Sequence, residues 1–427
     1  MLLAAACRDS ETLTEARPGA RAAITALQSQ SSQTLDELLA AHADAVPEFG
    51  GLWLDSAGRL HVNLTNIAAS QRAMNQVAPT LAAVRERVGP AVAMAPLFQI
   101  VRYNYRQLLN WREQLLANSA AFPGFTSLDI DEQVGAIVVG AIDSVAAQHS
   151  VDAFLQAERI PRGAVQVIRE ERPSLTANSN HLHLNLAFNP MPGGIVVGAS
   201  GQGLCVYSVN VKYNGAAAFI TNSHCSGTPG VVDTFQFHQG GEIVGAEVAD
   251  PFGTFCSGVT RCRYSDATVV QLNGAKVGEL GAIARTRFFD PYPPDGGVGD
   301  TIIDDAQPRF LMFFPGYSSN PVLGEQTQKM GRRTGWIQGP INKTCFDMNP
   351  GDGWIRRCTY RFNGEVIVGD SGSPIFFRIV CPGDTWPVVN CASYDGIQFA
   401  RTQGQVYFSP VSGIFRDFPG LFEFTPP

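Results

Sequence analysis

The sequence predicts an α+β N-terminal region followed by an all-β domain. Three observations carry this. Residues 8–175 contain neither cysteine nor lysine, are rich in Ala, Leu, Gln and Arg, and show long helical periodicities. From residue 195 onward, short apolar runs alternate with Gly, Asn and Pro turns, the pattern of a β-sandwich or barrel. Eight of the nine cysteines lie in that second half. A chain of 427 residues is also too long for one compact domain. The expected divisions are 1–7 as the tail of a lipoprotein signal, 8–175 as an α+β region, 176–194 as a linker and 195–427 as the β domain.

The elements follow in chain order. Met1 to Cys7 runs small and apolar residues into a cysteine, as a lipoprotein signal does, but lacks its basic start. Cys7 is therefore either a lipidation site or an incidental thiol. Ser32 to Ala43 and Ile67 to Val88 have helical spacing, and Pro96 to Ala117 carries an amphipathic pattern through Leu97, Ile100, Val101, Leu108, Leu109, Leu115 and Leu116. Phe49-x-x-Leu52-x-Leu54-Asp55 recurs as Phe125-x-x-Leu128-x-Ile130-Asp131. Each copy reads as a β-hairpin followed by an Ala-rich helix, giving two ββα units joined by a long helix. A strand is expected through Ala164–Val167, then a polar stretch ending in Asn189-Pro190-Met191-Pro192.

Composition excludes several classes. Net charge is −7, only 16% of residues are charged, and no Lys/Arg block occurs, so nucleic acid is not an expected partner. The best apolar stretch, Val134 to Ile142, falls short of the roughly 18 residues that span a bilayer. Cys205, Cys225, Cys256, Cys262, Cys345, Cys358, Cys381 and Cys391 contain no C-x-x-C pair, which disfavours zinc and redox motifs. Successive pairing would close short loops 205–225, 256–262, 345–358 and 381–391; other connectivities stay open. Disulfides would place the protein in an oxidising compartment. His181-x-His183 has no evident third ligand and reads as a linker strand, and His238, Asp250 and Glu365 read as solvated.

Three segments carry chemistry. Asn214-Gly215 is a two-residue hairpin signal, and the returning strand ends in Thr221-Asn222-Ser223-His224-Cys225. A cysteine beside His224 would staple a general base in place. In Ser265-Asp266-Ala267 an acid stands at the entry to an apolar strand, where it can orient an imidazole. In Gly369-Asp370-Ser371-Gly372-Ser373-Pro374 the glycines permit a tight turn. That turn can aim the Gly369 and Ser371 amides at one oxyanion position.

The order His224, Asp266, Ser371 and these contexts resemble chymotrypsin-like serine proteases, in the bacterial branch of alpha-lytic protease and the streptogrisins. Lys329 to Gly339 resembles the segment opening the second barrel of that branch, and Gly396-Ile397-Gln398 with Phe408-Ser409-Pro410 resembles the strands beside its specificity pocket. The resemblance spans about 190 to 420. It implies a double β-barrel, a Ser371–His224–Asp266 triad and substrate contacts at Gln398, Phe399 and Ala400. More faintly, the N-terminal half resembles the prodomains of the branch. Departures are Asn222-Ser223 before the histidine, Ser373 after the serine, and Ile367 where a pocket cysteine is usual.

The expected function is a serine endopeptidase made as a zymogen, without metal or organic cofactor. Its partners would be a protein or peptide substrate and its own N-terminal region, with a lipid anchor if Cys7 is modified. It would be bacterial, and secreted or held at the cell envelope. A non-catalytic, surface-anchored binding protein on a protease scaffold is the alternative reading.

Overall fold

The computed structural model describes residues 32–88, 96–175, 184–199, 203–257, 260–287, 289–291, 299–313, 315–318, 320–381 and 391–425. Cys7, His181 and His183 lie outside them.

The N-terminal half is built from two similar units, as the repeated motif predicts. The first has helix Leu35–Ala45, the hairpin Phe49–Leu54 and Leu60–Leu64, helix Ser70–Val88 and strand Leu97–Ile100. The second has helix Tyr105–Ala117, the hairpin Phe125–Asp131 and Ala136–Ala141, helix Ser144–Ala157 and strand Val165–Arg169. In each unit the last strand runs parallel to the second strand of the hairpin. The helices start where short polar side chains cap them. Thr34 with Glu37, and Asn104 with Gln107, form reciprocal capping boxes, and Asp143 accepts from Val145 and Ala146 amides. The apolar spacing from Pro96 to Ala117 is not one helix, because Leu97–Ile100 pairs as a strand with His61–Leu64 and the Asn104 cap starts the helix only at Tyr105.

The C-terminal half is a double β-barrel. One eight-stranded sheet runs in the order Gly203–Tyr207, Ile195–Ala199, Gln236–Gln239, Glu242–Ala249, Ala267–Leu272, Ala216–Asn222, Val209–Tyr213, Phe422–Glu423. Its interior is filled by Val197, Val209, Phe219, Phe237, Val244 and Val269 among others. The second barrel is centred on Gln326–Gly331, Gly335–Met348, Trp354–Asn363, Pro374–Ile379, Cys391–Thr402 and Gln405–Pro410. Met191–Gly193, within the stretch expected to be a linker, is already a strand paired with Gly278–Ala284.

The halves are joined by one continuous sheet. Strand Phe125–Asp131 extends the second barrel through Leu128↔Asp347 and Ser127↔Met348. They also share one apolar core, in which Leu128, Ile130 and Val139 lie with Ile341, Tyr360 and Phe408. Each large apolar side chain buried there contributes about 2 kcal/mol relative to exposure. Buried and half-buried charges meet at the same boundary. Arg112 reaches Asp36 (2.8 Å), Asp347 (3.1 Å) and the Cys345 carbonyl (3.0 Å). Glu170 meets Lys343 (3.3 Å) and Arg361 (3.0 Å).

Candidate active site

Three segments converge between the barrels. Asn214 (φ +53°) and Gly215 (φ +88°) make the predicted hairpin turn, and strand Ala216–Asn222 ends in a short 3-10 turn, Ser223–Cys225, that carries His224. A disulfide from Cys225 to Cys205 ties this turn to the neighbouring strand. The strand starting at Ala267 pairs Ala267 with Asn222, so Asp266 emerges beside His224. Ser371 sits on the turn leading into strand Pro374–Ile379.

The atoms form a chain. Ser371 Oγ lies 2.8 Å from His224 Nε2, and His224 Nδ1 is hydrogen-bonded to Asp266 Oδ2. Asp266 is fully buried, and Ser371 is buried as well. Burial alone would raise the Asp266 carboxyl, but Arg356, His224 and Arg263 hold it well below the usual carboxylate range. Its backbone is fixed too: its carbonyl accepts from the Ser223 amide (2.9 Å) and Asn222 Nδ2 (2.9 Å), and its amide donates to Ser409 Oγ (3.0 Å). The Asn222-Ser223 departure is thus built into the site.

The serine turn is fixed by backbone geometry and a buried ion pair. Gly372 has φ +92°, and a Cβ there would sit 2.1 Å from the Val206 carbonyl, so no other residue fits. Gly369 has φ +103°, and its carbonyl accepts from Arg332 Nε (2.8 Å). The Val206 amide donates to the Ser371 carbonyl (2.6 Å). Between the two glycines, Asp370 receives Lys329 Nζ (2.9 Å), Thr334 Oγ1 (2.6 Å) and the Arg333 amide (2.9 Å). Burial pushes the Asp370 carboxyl up, but Lys329 and these donors win and hold it below its ordinary value. Ser373 donates its hydroxyl to the Asp370 carbonyl (2.5 Å).

Gln398, Phe399 and Ala400 lie on strand Cys391–Thr402, all fully buried. Gln398 is next to the serine turn: its carbonyl accepts from the Gly372 amide and its amide donates to the Ser373 carbonyl, both at 3.0 Å. Phe399 instead packs with Phe346, Met348 and Tyr407. Further along, Ala400 and Arg401 pair antiparallel with Leu175 and Ser174 of the N-terminal half.

Sequence reasoning missed several residues. Asp250, expected to be solvated, is buried because Arg263 (3.1 Å), Ser223 Oγ (2.7 Å) and the Gly230 amide (2.8 Å) take its oxygens. Glu365 and His238 are half-buried. Lys329 was visible only as part of a resembling segment, and Arg356 gave no local signal. The four disulfides are Cys205–Cys225, Cys256–Cys262, Cys345–Cys358 and Cys381–Cys391, the successive pairing.

Two barrels meet at a serine, a histidine and an aspartate drawn from both. This is the chymotrypsin-like double β-barrel fold. Among solved structures the chain is similar to Nocardiopsis protease, with 16% identity, 54% of this chain and 98% of that chain covered, and a TM-score of 0.37. For Cellulomonas bogoriensis chymotrypsin the values are 20%, 55%, 98% and 0.36. For Thermobifida fusca protease A they are 17%, 55%, 98% and 0.37. No family model and no curated protein matches the chain. Among the described residues no helix is long and apolar enough to cross a membrane.

Proposed function

We propose that the chain is a serine endopeptidase made as a zymogen, with Ser371 as nucleophile, His224 as general base and Asp266 as its orienting acid. The observation that carries the reading is the continuous Ser371–His224–Asp266 hydrogen-bond chain. In this reading His224 Nε2 takes the Ser371 proton as Oγ attacks the scissile carbonyl. The amides of Gly369 and Ser371 receive the oxyanion. The tetrahedral intermediate collapses to an acyl-enzyme as His224 protonates the leaving amine, and His224 then activates the water that releases the acid. The triad roles are the general template for such proteases rather than a feature unique to this chain.

The zymogen part of the reading draws on the pairing of Ser174–Leu175 with Ala400–Arg401. An extended segment laid antiparallel on the strand beside the nucleophile takes the course a peptide substrate would follow by strand addition. Residues 8–175 would then form an inhibitory prodomain, and processing would fall in 173–194. Gln398, Phe399 and Ala400 would line the strand on which substrate is held. Four disulfides fit an oxidising location outside the cytoplasm. Lipidation at Cys7 would add an anchor. The Ser371–His224 contact argues against a non-catalytic binding protein on the same scaffold.

Hydrolysis of an unfolded protein substrate by processed wild-type chain and by Ser371→Ala tests the reading. Cleavage should fall at least a thousandfold in the variant, on the order expected for loss of a triad nucleophile. Equal hydrolysis by both would overturn it.

A further inference from the structure

Arg356 is one of the largest fully buried side chains among the described residues, and it lies against the acid of the triad. Its Nη2 is 2.7 Å from Asp266 Oδ1, the oxygen that His224 does not use. The same guanidinium reaches Asp352 through Nη2 (2.7 Å) and Nη1 (2.9 Å). Asp352 lies on the turn before strand Trp354–Asn363 and keeps part of its surface in solvent, its side chain being 25% exposed. The polar chain therefore runs Asp352, Arg356, Asp266, His224, Ser371.

His224 lies on one Asp266 oxygen and Arg356 on the other. Arg263, from the strand paired beside Arg356, is also near, but carries its own counter-ions, Asp250 (3.1 Å) and Asp417 (4.0 Å). Among the described residues, Arg356 is thus the cation in direct contact with Asp266 besides the His224 ring, and Asp352 is that cation's second anion.

We propose that Arg356 is a positioning residue that orients Asp266 and, balanced by Asp352, sets the pH at which His224 becomes a competent base. This rests on the protease reading above. Two carboxylates and one guanidinium leave one net negative charge opposite the imidazole. Removing Arg356 strengthens the negative field and favours the protonated imidazole. Removing the Asp352 charge weakens that field and disfavours it. The two changes act with opposite sign. A purely structural role for either residue gives no such opposition.

The test uses full-length chain labelled with 13C-histidine, following the His224 ring signal against pH in wild type, Arg356→Met, Arg356→Lys and Asp352→Asn. The midpoint should rise by about one pH unit in Arg356→Met and fall by about half a unit in Asp352→Asn, as charges nearby in a medium of intermediate effective dielectric require. Arg356→Lys should restore most of the wild-type midpoint. In parallel, the rate of fluorophosphonate labelling of processed chain should drop about tenfold in Arg356→Met, a loss typical of a displaced orienting group.

Midpoints that coincide, or that move the same way in Arg356→Met and Asp352→Asn, would overturn the proposal. Should Arg356→Met fail to fold, Asp352→Asn decides alone: no downward shift overturns it. Absence of labelling in wild type would sink the protease reading instead, while the histidine titration would still report on the charge chain.

Discussion

Arg112→Met should open the active site of the unprocessed chain. Arg112 is buried at the boundary of the halves, contacting Asp36, Asp347 and the Cys345 carbonyl. Removing one partner of a buried ion pair costs about 3–5 kcal/mol when the stranded charge has no other support. Here the two carboxylates differ. Burial raises the Asp36 carboxyl to about 6 even with Arg112 and the Tyr105 hydroxyl beside it. Neutralising it at pH 7 therefore costs only about 1.4 kcal/mol. Asp347 keeps Arg357 (3.5 Å) and the Cys358 amide (3.2 Å). The loss of docking energy should then lie near the low end, about 3 kcal/mol at pH 8 and less at pH 6. That is roughly a hundredfold in the docking equilibrium. The assay is the rate of fluorophosphonate labelling of Ser371 in unprocessed chain. It should rise roughly a hundredfold in Arg112→Met at pH 8, and adding Asp36→Asn should reverse part of the gain. A folded Arg112→Met chain labelled at the wild-type rate would refute the reasoning.

Two further predictions concern buried charge. Lys329→Met strands Asp370 next to the nucleophile, so it should destabilise the protein by about 3–5 kcal/mol and abolish labelling, with Lys329→Met/Asp370→Asn regaining stability; thermal melting and labelling together check this. Because the Asp370 carboxyl is held below its ordinary value, its stabilisation is complete above about pH 4 and is lost as pH falls further. Asp129 has the opposite sign: burial, with Asp131 adding, lifts its carboxyl to about 7 against Lys343. The stability tied to its protonated form is complete below about pH 4 and is lost as pH rises to about 7. Asp129→Asn should therefore raise the unfolding free energy read from urea titration at pH 8, by up to about 4 kcal/mol, and leave it unchanged near pH 4; an equal shift at both pH values would contradict the assignment.

What was legible in the sequence was what short-range rules govern. The Asn214-Gly215 turn, the glycine turn around Ser371 and the capping residues Thr34 and Asn104 each act within a few positions of themselves. The recurrence of Phe49 at Phe125 marked two equivalent hairpins for the same reason. The strand Leu97–Ile100 was hidden because its partner is the distant Leu60–Leu64. The charges that support the site were hidden likewise. Arg356 lies 90 residues from Asp266, and Lys329 lies 41 from Asp370. A buried arginine or lysine looks in sequence like a surface one, since its burial depends on a counter-ion that only the fold brings near. Asp250 misled by the same route, its partner Arg263 being supplied by a neighbouring strand.

The most direct measurement is fluorophosphonate labelling with the modified peptide mapped by mass spectrometry, before and after cleavage within 173–194. The account predicts slow labelling of intact chain, fast labelling of cleaved chain, modification at Ser371 alone, and none in Ser371→Ala. Cleaved, folded wild-type chain that takes up no label would contradict it.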